Sequence, residues 1–197
     1  NIHQFIEKYT LLTKDEIASS LNDQKIKFKT LTPIADRHRY LNDLELDILT
    51  KYTNGLHSFI STEKAVKHIN YLHGRGITNE SIHYFKLGAG GYLKNYNQTF
   101  VGQYRNSYND LDSIMQGLNL YNQRGTDYWW SPSVIIPYFY EDQVYYCNSR
   151  ILPANVKSMK YLYMKGIKKD IFFNDTILDE NDDIFCVEGE FNAISLW

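Results

Sequence analysis

The stretch VIIPYFYEDQVYYCNSRIL, residues 134–152, decides the fold of this chain. Two runs rich in β-branched and aromatic residues flank the polar pair Glu141-Asp142, and this pattern predicts an antiparallel hairpin that turns at the pair. Pro137 has no N–H to donate to a sheet ladder, so we expect it at a sheet edge or at a bulge.

Downstream of the hairpin, two shorter apolar runs predict further strands, IFF at 171–173 and IFCV at 184–187. The second run is continuous, which is typical of a strand buried on both faces. Gly189 permits a tight turn after it, and the apolar residues that follow predict the start of a helix. This pattern places Glu188 at the carboxyl end of a strand, where α/β folds place their functional residues.

Upstream of the hairpin, apolar residues at spacings of three and four predict helices. One such helix starts near Leu41 and is expected to end at Gly55. Residues 61–88 predict a hairpin of two short helices, the second of which is capped by Thr78. The string LGAGG that follows, residues 87–91, predicts a glycine turn, because it lacks the Lys-Ser/Thr pair of a phosphate-binding loop.

Composition limits the classes of function. The chain has 197 residues, of which 43% are hydrophobic and 22% charged, which excludes a disordered, collagenous or coiled-coil protein. The formal net charge of −2 means that any site for a polyanion is local. Two cysteines are too few for a disulfide framework or a thiolate zinc site. Because the sequence contains neither a membrane span nor a signal-peptide pattern, we expect a cytoplasmic protein without a membrane partner.

Charge is unevenly distributed near the carboxyl terminus. Residues 150–170 hold six basic residues and one acid, whereas residues 175–190 hold seven acids and no base. Neighbouring regions of this kind suit a polymerase-like site, in which basic side chains hold template phosphates and carboxylates hold divalent ions. On charge alone, two solvated loops are the simpler interpretation.

Four segments resemble, in the same order, segments of DNA primases of the bacterial DnaG type or of phages and plasmids. The last of them, IFCVEGEFNAISL, resembles the first motif of the TOPRIM domain in these primases. In chain order the segments are YLHGRGITNESIHYFKLG (71–88), VIIPYFYEDQVYYCNSRIL (134–152), MKYLYMKG (159–166) and IFCVEGEFNAISL (184–196). Together they cover roughly the last 140 residues, and their common order makes the resemblance specific.

The resemblance implies an α+β fold, in which an amino-terminal subdomain of helices and antiparallel strands leads into a truncated α/β TOPRIM fold. Residues 1–56 would form a helical amino-terminal segment or linker, residues 57–178 the template-binding subdomain, and residues 179–197 the start of the TOPRIM domain. We expect the sequence to be part of a longer protein whose Asp-x-Asp motif follows Trp197, and the fragment to be inactive alone.

The resemblance also implies an activity: the intact protein would make short RNA primers from ribonucleoside triphosphates on single-stranded DNA, with a replicative helicase as a further candidate partner. Glu188 would act in catalysis as a ligand of Mg²⁺ or Mn²⁺ or as a proton acceptor. Arg150 and Lys160 match residues that bind the single-stranded template in the family. Lys165 and Arg124 are further candidates for this nucleic-acid contact.

The chain departs from the family pattern at several positions. Ser133 stands where an arginine is usual, Asn148-Ser149 replaces a pair of glycines before Arg150, and Asn192 stands where aspartate is common. Two other classes of function stay open: another TOPRIM enzyme, such as a nuclease or a topoisomerase, and a non-catalytic module that binds single-stranded nucleic acid. The hairpin and the Lys-Tyr-Leu segment favour the primase.

Overall fold

The computed structural model describes residues 40–91, 96–121, 127–129, 131–140, 142–155, 159–169, 172–174 and 185–197. This part of the chain is an α+β fold with a four-stranded antiparallel sheet in the order β1-β2-β3-β4, so the predicted fold class is confirmed for it. The elements in chain order are α1 (Asp43–Ile60), a 3₁₀ turn (Glu63–Ala65), α2 (Val66–His73), α3 (Asn79–Tyr84), β1 (Gly88–Gly90), α4 (Tyr96–Tyr104), α5 (Leu111–Gly117), β2 (Ser133–Tyr140), β3 (Gln143–Ile151), a second 3₁₀ turn (Pro153–Asn155), β4 (Tyr161–Tyr163) and α6 (Glu190–Leu196). Within the described ranges, no helix combines the length and the apolar character needed to cross a membrane.

The predicted hairpin is confirmed. β2 and β3 pair antiparallel, and the ladder closes with Tyr140 opposite Gln143. Asp142, in the turn, has a φ of 65°, a left-handed conformation that aspartate adopts more readily than most side chains. The hairpin therefore turns at Asp142, as predicted, while Glu141, the other residue of the predicted turn, lies outside the described residues.

Pro137 occupies the kind of position that its missing N–H requires. β1 pairs with β2 only as far as Ile135, so Pro137 lies beyond the reach of the β1 ladder. The β2–β3 register shifts between Tyr138 and Phe139, immediately after the proline. Both the free side of the strand and the bulge tolerate proline, as predicted.

Helix α1 supports the sheet. The side chain of Asn42 accepts a hydrogen bond from the N–H of Glu45 at 3.0 Å, and the Glu45 carboxylate accepts one from the N–H of Asn42 at 3.1 Å, which forms a capping box. The helix continues across the predicted domain boundary between residues 56 and 57, and residues on both sides are buried in cores that include the sheet. The other predicted boundary, 178–179, lies outside the described residues.

The predicted end of α1 at Gly55 is wrong, because the helix runs on to Ile60. Gly55 is needed inside the helix because the hydroxyl of Tyr96 lies 2.0 Å from where a β-carbon would be. That hydroxyl donates a hydrogen bond to the carbonyl of Tyr52 at 2.8 Å. A distant contact, and not the helix end, explains this glycine. The cap of α3 is as predicted, since Thr78 Oγ1 accepts from the N–H of Ser81 at 3.1 Å.

The string LGAGG forms the edge strand β1, and the predicted glycine turn is confined to Gly91, whose φ is 81°. A β-carbon on Gly88 would lie 3.0 Å from the β-carbon of Leu56 in α1. One on Gly90 would lie 2.9 Å from the side chain of Ile135 in β2. The glycines therefore let the strand pass closely between the helix and the sheet.

The two shorter apolar runs form no strand in the residues that the structure describes. Phe173 lies at a turn, where its ring packs 5.3 Å from the rings of Phe85 and Tyr138. Residues 185–187 are unpaired within the described ranges, and Phe185 is 84% exposed. A strand buried on both faces needs neighbouring strands and covering helices, which the described residues do not supply there. The predicted helix after Gly189 is present as α6.

The sheet separates two hydrophobic cores. Ile135 of β2 packs in one core with the buried side of α1. Its neighbours Val134 and Ile136 point the other way and pack with Phe191 of α6 and with residues of α2 and α3. This second core fixes α6 against the sheet.

We expect Gly91→Ala to lower the free energy of unfolding by about 1–3 kcal/mol or more, because a side chain at its positive φ is strained. The added β-carbon would also lie 2.2 Å from the carbonyl carbon of Ser131. Gly102→Ala in α4 is the control: nothing lies within 4 Å of its β-carbon, and alanine favours a helix by ~1 kcal/mol. Urea unfolding followed by circular dichroism measures both, and equal stability of the two variants would contradict the packing of β1.

Candidate nucleic-acid interface

One face of the sheet carries Arg150, a predicted template-binding residue. Arg150 and Asn148 of β3 lie opposite Tyr161 and Tyr163 of β4 in the register. Because register partners share a face and side chains alternate along each strand, these four residues lie on the same face. We call this side of the sheet, on which Asn148 is buried and Tyr163 exposed, the β3–β4 face. Within the described sheet, β4 is an edge strand.

Arg150 is half-buried among aromatic rings. Its guanidinium carbon lies 4.8 Å from the centroid of the Tyr161 ring, and its Nε donates a hydrogen bond to the hydroxyl of Tyr71 at 3.3 Å. Tyr71 packs on Phe191, and the guanidinium of Arg75 lies 5.0 Å from the centroid of Phe191. Stacking of this kind orients a guanidinium and leaves its remaining donors available for phosphate oxygens.

Lys160 and Lys165 flank β4 and are both exposed. The carbonyl of Lys160 accepts from the N–H of Ile151 at 3.0 Å, so the alternation of side chains directs Lys160 away from the face that carries Arg150. The ammonium of Lys165 lies 6.0 Å from the centroid of the Tyr128 ring. The structure thus places Lys165 beyond the end of β4 but does not bring Lys160 onto the β3–β4 face.

Arg124, the fourth predicted nucleic-acid contact, lies outside the described residues. The two arginines that the structure brings together, Arg150 and Arg75, come from β3 and from the turn after α2. Both approach Tyr71. Sequence reasoning assigned no role to Arg75.

A partly buried polar network lies beside the same face: the side chain of Glu190 is 15% exposed and that of Lys169 34%. The carboxylate of Glu190, the first residue of α6, accepts hydrogen bonds from the hydroxyl of Tyr138 and from Nδ2 of Asn148, the latter at 2.9 Å. The ammonium of Lys169 lies 3.7 Å from the same carboxylate oxygen and also donates to the hydroxyl of Tyr138. It sits 4.1 Å from the centroid of the Tyr138 ring. The network joins β2, β3 and α6.

Burial alone would raise the pKa of Glu190, but donors from Tyr138, from its own backbone and from Asn148, together with the charge of Lys169, hold that pKa below its ordinary value. Burial lowers the pKa of Lys169, and the charge of Glu190 partly offsets this. Burial first, and then the charge of Glu190, raise the pKa of Tyr138. Glu190 is therefore ionised at neutral pH, and Tyr138 and Asn148 both donate to one of its oxygens.

Glu188, the predicted catalytic residue, is exposed two positions before Glu190. Among the residues with described positions, no three His, Cys, Asp or Glu side chains are grouped so that they could hold a metal ion. Mg²⁺ is commonly held by one or two carboxylates together with waters and substrate phosphates, so Glu188 fits one ligand position. The described residues do not form a complete metal site, and the acidic stretch at 175–183 lies outside them.

Sequence reasoning missed this network. Its one usable signal is Asn148, a polar residue in an otherwise apolar strand, because such a side chain needs hydrogen-bond partners once it is buried. The partners Lys169 and Glu190 lie more than twenty residues further along the chain, in segments whose pattern resembles ordinary solvated surface. Only the tertiary fold brings them together.

No protein-family model matches the chain, and no curated protein matches it. Among solved structures, it is similar to the RNA polymerase domain of Mycobacterium tuberculosis primase DnaG, with a TM-score of 0.53 and 12% identity over 64% of this chain and 41% of that chain. A structure of the same domain in complex with a double-stranded DNA oligomer with a 6-nucleotide overhang gives a TM-score of 0.54 and 11% identity, over 64% and 40% of the two chains. At this identity the similarity shows the fold, which is that of about two fifths of the DnaG domain.

We expect Glu190→Gln to lower the free energy of unfolding by ~1–3 kcal/mol at pH 7, the size of charge-assisted hydrogen bonds to a partly buried group. Because folding lowers the pKa of Glu190, the carboxylate stabilises the fold above its unfolded pKa near 4.5 and loses this effect as pH falls through the folded pKa. The difference between wild type and variant should therefore shrink below about pH 4.5.

Glu188→Gln is the matched control for this measurement, since it is the same change at an exposed glutamate two residues away. Its free energy of unfolding should stay within ~0.5 kcal/mol of wild type. Urea unfolding at a series of pH values compares the three proteins. Equal losses in the two variants would show that the network does not stabilise the fold.

Proposed function

We propose that this chain is the template-binding part of a DnaG-type DNA primase and that its β3–β4 face binds single-stranded DNA. The observation that carries the proposal is Arg150: its guanidinium is held against Tyr161 on the surface of a sheet that has the fold of DnaG RNA polymerase domains. The four sequence segments that resemble primases support the same assignment.

In this proposal, the cationic side chains around the β3–β4 face bind the phosphates of the DNA strand. Arg150 is oriented by the Tyr161 ring, Arg75 lies near the same tyrosine cluster, and Lys165 follows β4. Because the whole chain carries a formal charge of −2, attraction to a polyanion depends on this local group. Phosphate contacts of this kind position a strand without reading its sequence.

The activity of a longer protein is also part of the proposal, because this chain spans about two fifths of the DnaG domains to which it is similar. Residues from about 179 onward would begin a TOPRIM domain after the template-binding subdomain, with ribonucleoside triphosphates as substrates. Mg²⁺ or Mn²⁺, when bound, would neutralise triphosphate charge, with Glu188 as one ligand. The Glu190 network would hold the start of α6, and with it Glu188, at a fixed place beside Arg150.

We expect Arg150→Ala to weaken binding of single-stranded DNA about fivefold at 0.1 M salt, because one phosphate contact contributes ~0.7 to the log–log salt slope. The slope itself should fall by about 0.7. Fluorescence anisotropy of a labelled oligonucleotide at several salt concentrations measures both quantities.

Arg105→Ala serves as the control for Arg150→Ala, since it removes an exposed arginine after α4, a helix whose buried residues pack in the core on the other side of the sheet. It should leave both the affinity and the slope unchanged. If Arg105→Ala weakens binding as much as Arg150→Ala, or if both variants keep the parent slope, the phosphate-binding surface lies elsewhere.

We further expect that residues 1–197 alone bind single-stranded DNA but make no primer from ribonucleotides. Two-ion phosphoryl transfer needs several carboxylates around the ions, and Glu188 supplies one. Incubation with single-stranded DNA, labelled ribonucleoside triphosphates and Mg²⁺ or Mn²⁺ tests this, with DNA binding by the same preparation as the control. A labelled primer would mean that the acidic stretch at 175–183 supplies the missing ligands.

A further inference from the structure

Tyr161 and Tyr163 form a stacked pair on the β3–β4 face. Their ring centroids are 6.0 Å apart and the ring planes differ by 20°. As residues i and i+2 of a strand, they project from the same side of β4. The two rings differ in exposure to solvent: Tyr161 is partly buried under Arg150, whereas Tyr163 is 51% exposed.

Charges of both signs surround the pair: burial and then the charge of the Glu190 carboxylate raise the pKa of Tyr163, Arg150 lowers it, and Lys169 lies 3.7 Å from that carboxylate. Arg150 lies over the Tyr161 ring at one end, and Lys165 follows two residues after Tyr163 at the other. The hydroxyl of Tyr128, whose ring faces Lys165, donates to the carbonyl of Tyr163 at 2.9 Å and so fixes the end of the strand. Two nearly parallel rings with a guanidinium at one end are complementary to a chain that alternates flat aromatic bases with anionic phosphates.

We propose that Tyr163, supported by Tyr161, is a stacking platform for unpaired bases of a single-stranded DNA. This inference rests on the proposed function and adds a second mode of contact to it: the cations hold phosphates, while the ring holds a base. A base in a duplex is already stacked and paired, so the platform distinguishes single from double strands. Every base has an aromatic face, so the platform is tolerant of sequence.

An edge strand such as β4 also invites pairing with another peptide strand. The contacts on this face favour bases, because the exposed feature is an aromatic ring stacked on Tyr161, which lies under Arg150, and not an apolar strip. A peptide strand would use the backbone of β4 and would be indifferent to the ring of Tyr163. The two occupants therefore respond differently to a change of that side chain.

The experiment compares two oligonucleotides of equal length, one with all its bases and one with abasic sites, which keeps the phosphates and removes the stacking groups. Tyr163→Ala in the 197-residue chain should bind the intact oligonucleotide about fivefold to a hundredfold more weakly, the range of ring–base stacking. It should bind the abasic oligonucleotide as the wild type does, which also reports that the variant is folded. Tyr163→Phe keeps the ring and should keep the affinity.

Tyr84→Ala is the matched control, because Tyr84 is 50% exposed and is also stacked, on Trp197 at 4.3 Å, outside the β3–β4 face. Its affinity for the intact oligonucleotide should not change. If wild type binds both oligonucleotides equally and Tyr163→Ala binds like wild type, the platform is wrong while phosphate binding stands. Equal weakening by Tyr84→Ala overturns the location, and failure of wild type to bind either oligonucleotide overturns the proposed function as well.

Discussion

A shift of one residue in the pairing of β2 with β3 would turn every side chain of the moved strand to the opposite face of the sheet. Arg150 and Asn148 would then point into the core under α1, and Ser149 would turn to the β3–β4 face. The turn at Asp142 and the bulge after Tyr138 hold the register against such a shift. β1 and β4 pair with the outer sides of this hairpin, so the placement of the whole sheet depends on it.

Partial burial of the charged network costs hydration free energy, which suggests that the network has a role other than stabilising the fold. Removing most of the Glu190 carboxylate and part of the Lys169 side chain from water is unfavourable unless hydrogen bonds and mutual attraction offset the lost hydration. A hydrophobic contact would join α6 to the sheet at lower cost, but it would not fix the helix at one rotation and depth. Hydrogen bonds from Tyr138 and Asn148 to one carboxylate oxygen do so, because they are directional. The network therefore favours a defined position of α6 over maximal stability.

The features predicted correctly from the sequence are those with local causes. The hairpin follows from two strand-like runs around a polar turn, and the start of α3 follows from the hydroxyl of Thr78. The wrong predictions concern glycines whose presence is explained by contacts with residues far away in the sequence. Gly55 is a glycine because of Tyr96, and the glycines of β1 exist because α1 and β2 approach closely. A turn prediction cannot register such contacts.

The same distinction between local and distant causes applies to the residues of the candidate site. Arg150 was identified through the resemblance to primases, and the structure gives it a physical setting in the rings of Tyr161 and Tyr71. Lys160 pairs with Ile151, the residue after Arg150, but the alternation of side chains along a strand places Lys160 and Arg150 on opposite faces of the sheet. A sequence motif alone does not show on which face a side chain lies. The stacked pair of β4 was not predicted either, because spacing of two residues indicates a shared face but not the angle between two rings.

The weak overall charge of the chain gives the combination of cations and rings a physical rationale. With a formal net charge of −2, long-range attraction between the protein and a nucleic acid is small, and screening at physiological salt reduces it further. Binding that relied on a few phosphate contacts would weaken steeply as salt increases, whereas base stacking releases no counterions and is far less sensitive. Under the proposed function, a half-buried arginine beside an exposed tyrosine would let the β3–β4 face of a nearly neutral chain hold a single strand over a wider range of salt than either contact alone.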